Sequence, residues 1–190
     1  MSPHEPALRI VLIGPTSAPW ASIATEVEAD LARLARPGIE LAYRCTGAGP
    51  AAIRSAADAA AAAPYVVTAV AEAARDGFDA AIIDCAHDPG LDAARRAVAM
   101  PVVGAGAAMR AAVAVAPEPV VVLEGDELRG STCAELLERV RDARTVAIAA
   151  TGWSHLVDEL GRDGRRVVDP LPAALDQCLT LLADGRFSAR

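Results

Sequence analysis

Short apolar runs alternate with amphipathic or Ala-rich segments along almost the whole chain. The first run, residues 8–14 (LRIVLIG), ends in Gly-Pro, and helical spacing of apolar residues follows it. The pattern predicts strands at 8–14, 39–45, 78–84, 102–103, 120–123, 146–149 and 166–168, and helices at 20–36, 58–76, 91–98, 106–115, 132–143, 154–160 and 172–183. Such alternation is typical of an α/β fold whose parallel sheets are covered by helices on both faces.

Loops at the carboxyl ends of the predicted strands are where a site is expected, because open parallel sheets bind ligands there. These loops follow residues 14, 45, 85, 103, 123 and 149. The loop after the fifth strand, Glu124-Gly125-Asp126-Glu127, is carboxylate-rich. We expect it to be a solvated loop, although its carboxylates could supply an acid or a base.

Composition narrows the class of protein. The 190 residues are 53% hydrophobic and 23% charged, and no apolar run reaches the roughly 20 residues that cross a bilayer, so we expect a soluble globular protein. Residues 1–6 lack the features of a secretory signal, which predicts a cytoplasmic location. The net charge of −7 is spread along the chain without a basic stripe, which argues against a nucleic-acid partner.

Side-chain chemistry excludes further classes of site. All 18 basic residues are Arg, so neither a lysine Schiff base nor a phosphate loop with its lysine is available. Cys45, Cys85, Cys133 and Cys178 form no CxxC pair and no short Cys/His spacing, so we expect no metal site. We expect Cys45, Cys133 and Cys178 to be packing residues, although Cys45 could also line a pocket.

Cys85 lies where a buried strand reaches its carboxyl end and the turn Asp88-Pro89-Gly90 follows. Near a predicted helix start, the backbone N–H groups of Ala86 and His87 could hold an anion. The positive electrostatic potential at that helix start would also lower the pKa of the Cys85 thiol. The alternative is that Cys85 is a small buried apolar residue, as free cysteines usually are. Spacing alone favours neither interpretation.

Several blocks together resemble the Asp/Glu/hydantoin racemase superfamily. Residues 85–91 (CAHDPGL) followed by 101–104 (PVVG) match that family's motif in order and spacing. Residues 49–55 (GPAAIRS) and 63–67 (APYVV) are similar to the hydantoin racemase branch, and 168–170 (VDP) is similar to its closing motif. The resemblance covers most of the chain.

The resemblance implies two pseudo-symmetric Rossmann-like lobes, each a mostly parallel sheet flanked by helices, with the active site in the cleft between them and no cofactor. The first lobe would comprise residues 1–103 and 171–190, and the second residues 104–170. In the family one cysteine from each lobe exchanges the proton of a carbon next to a carbonyl, and Cys85 matches the first. Relatives commonly form homo-oligomers, so we expect one here, acting on a small carboxylate or cyclic amide. Expected substrate-binding positions are Pro15, Thr16, Ser17, Ser55, Ala86, Gly104, Ala150 and Gly152.

The chain departs from the family where the second cysteine is expected. Residues 149–153 read AATGW, which puts Ala150 at that position, and residues 14–17 read GPTS where the family has Asn-Pro-Asn-Thr. His87 and Thr151 are the first candidates to replace the missing thiol as a proton carrier, and Ser154 and His155 rank below them. An unassisted hydroxyl is, however, a poor proton carrier.

The carboxylates beside Cys85 are assigned other roles by the pattern. Asp84 precedes Cys85 on the predicted strand, and alternate strand side chains point to opposite faces, so Asp84 should point to the face opposite Cys85. Asp88 belongs to a turn and is expected to act as a cap.

The sequence therefore predicts a cofactor-independent isomerase or racemase-like enzyme in which Cys85 is a thiolate base or a nucleophile. The alternatives are a one-cysteine lyase or decarboxylase of the same superfamily, and a non-catalytic homologue that binds a small carboxylate or stabilises a partner. A flavodoxin-like or nucleotide-binding protein ranks last, since its glycine and lysine motifs are lacking. No residue distinguishes among candidate substrates.

Overall fold

The computed structural model describes residues 7–185, so the predictions for residues 1–6 and 186–190 lie outside the described part. Seven strands are described: β1 (Leu8–Gly14), β2 (Ile39–Cys45), β3 (Ala80–Ile83), β4 (Val102–Gly104), β5 (Val120–Glu124), β6 (Thr145–Ala149) and β7 (Arg166–Val168). The helices are α1 (Trp20–Leu34), α2 (Ala56–Arg75), α3 (Leu91–Ala97), α4 (Ala105–Ala114), α5 (Gly125–Gly130), α6 (Cys133–Arg139), α7 (Val157–Leu160) and α8 (Pro170–Ala183).

The strands form two parallel sheets. The first has the order β2-β1-β3-β4 and the second the order β5-β6-β7. Gly14 pairs with Cys45 and Ile83 with Gly104, so the carboxyl ends of the first sheet's strands lie level with one another. Glu124 pairs with Ala149 in the same way at the end of the second sheet.

Helices cover both faces of the first sheet because its strands carry apolar side chains on both sides. On one face Val11 and Ala81 pack against α2 and α3, through residues such as Val70. On the other face Ile10 and Ile82 pack with buried residues of α4 and α8. The α8 helix thus returns the chain to the first sheet.

The second sheet packs in the same manner. Leu123 and Ile148 pack with Leu128, Leu136 and Leu160 on one face, and the other face meets α4 through Met109. The α/β fold with two helix-flanked parallel sheets is therefore confirmed. Its division into lobes at residues 103/104 and 170/171 remains our proposal.

Several helix boundaries differ from the sequence prediction because polar side chains cap the ends. The second helix begins at Ala56 because the Ser55 hydroxyl accepts a hydrogen bond from Asp58 N–H at 3.1 Å. The last helix begins at Pro170, where the Asp169 carboxylate accepts a hydrogen bond from Leu171 N–H at 3.1 Å.

Two further predicted helices differ in length or type. The segment at 154–160 is a 3₁₀ turn (Ser154–Leu156) followed by α7. The predicted helix 132–143 is shorter, ending at Arg139.

One expected loop is a helix. Residues 124–127 were predicted to be a solvated loop, but Glu124 ends β5 and α5 begins at Gly125. Leu128 is 1% exposed and anchors α5 in the core of the second lobe, which explains the helix. Between residues 7 and 185, no helix is long and apolar enough to cross a membrane.

Candidate active site

The carboxyl ends of strands from both sheets enclose two adjacent cavities. The acidic cavity, about 290 Å³, carries the carboxylates of Glu26, Asp30 and Asp84. The arginine cavity, about 210 Å³, carries Arg54 and Arg129 together with other charged side chains. The lining of both cavities includes Ile53, Cys85 and Thr151. These three residues therefore mark the junction of the cleft.

Cys85 lies directly after β3 and is 9% exposed. Burial raises the pKa of its thiol to about 12, hydrogen bonds from the backbone N–H groups of His87 and Asp88 oppose the shift, and the charges of Asp84 and Asp88 add to it. The expected lowering of this pKa is therefore wrong. The physical reason is that α3 begins only at Leu91, after a turn, so Cys85 is not at a helix start and desolvation dominates.

The turn after Cys85 is held by the carboxylate of Asp88, which is 7% exposed. Asp88 accepts a hydrogen bond from Gly106 N–H at 2.9 Å and pairs with Arg110 at 2.7 Å. It therefore caps α4, in agreement with a capping role, and its own backbone has a φ of 49°. A Cβ atom on Gly104 would overlap the Asp88 carboxylate, so Gly104 packs closely against Asp88, and its substrate contact stays a prediction.

Five of the predicted site residues surround the arginine cavity. Cys85, Ala86 and His87 come from the loop after β3, and Ala150 and Thr151 from the loop after β6. The imidazole of His87 is exposed, whereas Thr151 is partly buried at the junction. The two lobes thus bring together the loops that the sequence singled out.

The acidic cavity collects Pro15, Thr16 and Gly152 from the predicted set. Ser17 connects loops, since its hydroxyl donates to the carbonyl of Gly49 at 3.0 Å. Ser55 is exposed and its hydroxyl also donates to Asp58 Oδ2 at 2.9 Å, so its observed contacts are those of a helix cap.

Asp84 is the most important residue that sequence reasoning missed. Cys85 packs with the core on the α2 side of the first sheet, whereas Asp84 interacts with Tyr43 and Thr151 and lines the acidic cavity. The two side chains therefore point to opposite faces, as predicted, but both reach the cleft. Burial raises the pKa of Asp84 to about 6, Asp30 and Asp169 raise it further, and the hydroxyls of Thr151 and Tyr43 lower it.

Other charged residues of the cleft also carried no motif. Asp30 is 6% exposed, and burial raises its pKa against the opposing effects of Ser154, Arg33 and His155. On the opposite side, Arg54 and Arg129 face the arginine cavity with Glu124 and Asp126.

Cys45 is half-buried at the end of β2, where burial and the charge of Asp84 raise its pKa, whereas Cys133 and Cys178 line neither cavity. Cys178 is buried in α8, and Cys133, expected to pack in the core, is exposed at the first residue of α6. Among residues 7–185, no group of three or more His, Cys, Asp or Glu side chains is arranged to hold a metal ion.

Comparison with known proteins identifies the family. A sequence profile described as Asp/Glu/Hydantoin racemase matches residues 10–127. Allantoin racemase from Klebsiella pneumoniae is 26% identical, with 94% of this chain and 89% of that chain covered and a TM-score of 0.78. The fold is shared by allantoin racemase from Pseudomonas fluorescens, which is 21% identical, with 96% of this chain and 93% of that chain covered and a TM-score of 0.74. It is also shared by maleate isomerase from Pseudomonas putida S16, which is 14% identical, with 93% of both chains covered and a TM-score of 0.67.

A search of curated proteins found no significant match. The profile alone covers more than half of the chain, and the similar solved structures span nearly all of it. The two-sheet fold, the cleft and this match agree, and the chain belongs to the Asp/Glu/hydantoin racemase family.

Proposed function

We propose that this protein is a cofactor-independent isomerase that exchanges a proton at a carbon next to a carbonyl, with Cys85 as the group on one face of that carbon. The observation that carries the proposal is the position of Cys85, which lines both cavities at the junction of the cleft. Family membership and the similarity to an allantoin racemase support a racemase or a related isomerase.

The size and charge of the cleft favour a small, polar substrate. Cavities of about 210 and 290 Å³ are below or at the lower end of the range for drug-sized ligands, roughly 300–1,000 Å³. Arg129 pairs with Asp126 in the arginine cavity, and Arg54 can attract a carboxylate or a carbonyl oxygen there. The carbon acid would then lie at the junction, beside Cys85.

The protonation state of Cys85 determines whether this residue first donates or first removes a proton. With a pKa of about 12, the thiol form predominates near neutral pH in the protein without substrate. Donation of a proton from Cys85 needs no prior ionisation, whereas abstraction needs the thiolate, which the N–H groups of His87 and Asp88 stabilise. His87 and Thr151 are the proposed partners beside it.

One-face chemistry is the second candidate, and Ala150 favours it. We align Ala150 with the family's second cysteine, and its side chain lines the arginine cavity. A methyl group carries no proton, so a lyase or decarboxylase that needs a single protonation by Cys85 fits this wall of the cleft. A homologue that binds a small carboxylate without reaction is the non-catalytic alternative.

The test is α-proton exchange in deuterium oxide, followed by NMR over a panel of amino acids, hydantoins and malonates. We expect exchange by the native protein, and a loss of roughly 100-fold or more in Cys85→Ser, as for removal of a general acid or base. The matched control is Cys133→Ser, at an exposed cysteine outside the cleft.

The outcomes separate the candidates. Exchange with inversion supports a racemase, and decarboxylation of malonates without inversion supports the lyase. If no compound on the panel reacts and Cys85→Ser behaves as the native protein does, the isomerase proposal fails. Binding without reaction would then favour the non-catalytic homologue.

A further inference from the structure

A buried carboxylate oxygen in the cleft has no hydrogen-bond partner. Asp84 Oδ1 is fully shielded from solvent, and in the described part of the chain no donor is within hydrogen-bond geometry of it. Leaving a buried polar atom unpaired costs free energy, more so for a charged group. Asp84 also lines the acidic cavity, so the unpaired oxygen belongs to a side chain in the wall of that cavity.

Asp84 and Cys85 approach the cleft from different directions although they are adjacent in the chain. Cys85 packs with the core on the α2 side of the first sheet and lines both cavities. Asp84 interacts instead with Tyr43 from β2 and with Thr151 from the second lobe, and lines the acidic cavity. A small molecule that extends from the junction into the acidic cavity can therefore contact both the thiol and the carboxyl group.

We propose that Asp84 is the second acid/base group of this cleft, and that Thr151 is a positioning residue that orients the Asp84 carboxyl group. The inference rests on the proposed function, since it supplies the proton carrier that Ala150 lacks. Stereochemical inversion then needs Cys85 on one face of the substrate carbon and Asp84 on the other.

The surroundings of Asp84 suit proton exchange near neutral pH. Its pKa of about 6 lies close to the range in which a general acid or base is most effective. Asp30 from α1 and Asp169 at the start of α8 raise it, and the hydroxyls of Tyr43 and Thr151 lower it. The titratable groups at the carboxyl ends of β2 and β3 are Cys45 and Cys85, and Asp84 in turn raises the pKa of both.

The proton balance closes without a further reactant. In the resting form Asp84 is a carboxylate and Cys85 is a thiol. Asp84 removes the α-proton, the electron pair remains on the substrate as an enolate, and Cys85 donates its proton to the opposite face. This leaves Asp84 protonated and Cys85 as a thiolate, and proton exchange with solvent restores the resting form. The opposite enantiomer follows the same steps in reverse.

The experiment separates exchange from inversion. For the substrate that reacts in deuterium oxide, the rate of deuterium incorporation and the rate of inversion are both measured for the native protein, Asp84→Asn, Asp84→Glu and Thr151→Val. We expect Asp84→Asn to lower inversion of both enantiomers by roughly 100-fold or more. Exchange through Cys85 should remain for the enantiomer whose α-proton faces Cys85, and Asp84→Glu should restore part of the inversion. The pH profile of the native protein should show a limb near pH 6 that Asp84→Asn lacks.

The positioning role of Thr151 has its own readout. Removing its hydroxyl takes away an interaction that lowers the pKa of Asp84, so Thr151→Val should shift this limb to higher pH. The matched control is Asp142→Asn, which removes a carboxylate that is 89% exposed and lines neither cavity. Unfolding curves of all variants will test whether each is folded under the assay conditions.

Each outcome decides the inference. If Asp84→Asn inverts the substrate as fast as the native protein does, or if the native protein exchanges only with retention, Asp84 is not the second acid/base, and the role of Cys85 stands. If Asp84→Asn loses exchange of both enantiomers together with inversion, and Asp84→Glu restores neither, the residue has a structural role and the inference is overturned. If the native protein exchanges no compound, the proposed function fails and this inference fails with it.

Discussion

Replacing Asp84 with Asn should make the protein more stable at neutral pH, although we place Asp84 in the active site. Burial and like charges raise the pKa of this carboxyl group from an ordinary value of 3.8 to about 6. A difference of about two pKa units corresponds to roughly 3 kcal/mol, at about 1.4 kcal/mol per unit. The folded state therefore carries a penalty for the ionised form of about that size.

The sign follows from proton linkage. The folded state binds the Asp84 proton more tightly than the unfolded state does, so this group favours folding below pH 3.8 and loses that contribution as pH rises through about 6. The unfolding free energy of Asp84→Asn minus that of the native protein should accordingly rise by about 2–3 kcal/mol between pH 4 and pH 8. Relief of repulsion with Asp30 and Asp169 acts in the same direction.

Urea unfolding at several pH values between 4 and 8 measures this difference directly, and Asp142→Asn provides the surface control. Taking the difference between two proteins removes the contribution of groups that titrate alike in both. A difference that stays constant with pH, or that falls as pH rises, would refute the argument that burial controls the ionisation of Asp84.

Three further predictions concern the rest of the site. Gly104→Ala should destabilise the protein by about 2–4 kcal/mol, because its Cβ would overlap the buried Asp88 carboxylate and lie 2.9 Å from a Leu91 methyl carbon. The control Gly130→Ala, with open space around it, should change stability by less than about 1 kcal/mol. Equal effects of the two substitutions in urea unfolding would contradict this prediction. The rate at which iodoacetamide alkylates Cys85, measured by mass spectrometry, should rise about tenfold per pH unit between pH 7 and 9, because the pKa of the thiol is about 12. A plateau of the rate in that range would show a far lower pKa. Ser55→Ala should cost about 1 kcal/mol through loss of the α2 cap and leave α-proton exchange unchanged; altered substrate affinity would instead restore the predicted binding role.

The sequence by itself determined the order of the elements and the identity of the central loop. β1 was predicted at its observed bounds because an apolar run that ends in Gly-Pro leaves little choice of structure, and β2 was also predicted at its observed bounds. The block around Cys85 identified the loop after β3 and, by resemblance, the family. Helix ends were less certain, because Ser55 and Asp169 act through side-chain hydrogen bonds that a periodic pattern does not show.

Only the tertiary structure decided the electrostatics of the cleft. Whether Cys85 is activated or silenced depends on how much solvent reaches it, and burial outweighs the two N–H groups that favour its thiolate. Asp84 was correctly assigned to the face opposite Cys85, but the sequence does not show that its side chain also reaches the cleft. Its neighbours Asp30, Asp169 and Thr151 are distant in sequence, and long-range packing alone brings them together and sets the pKa of the carboxyl group.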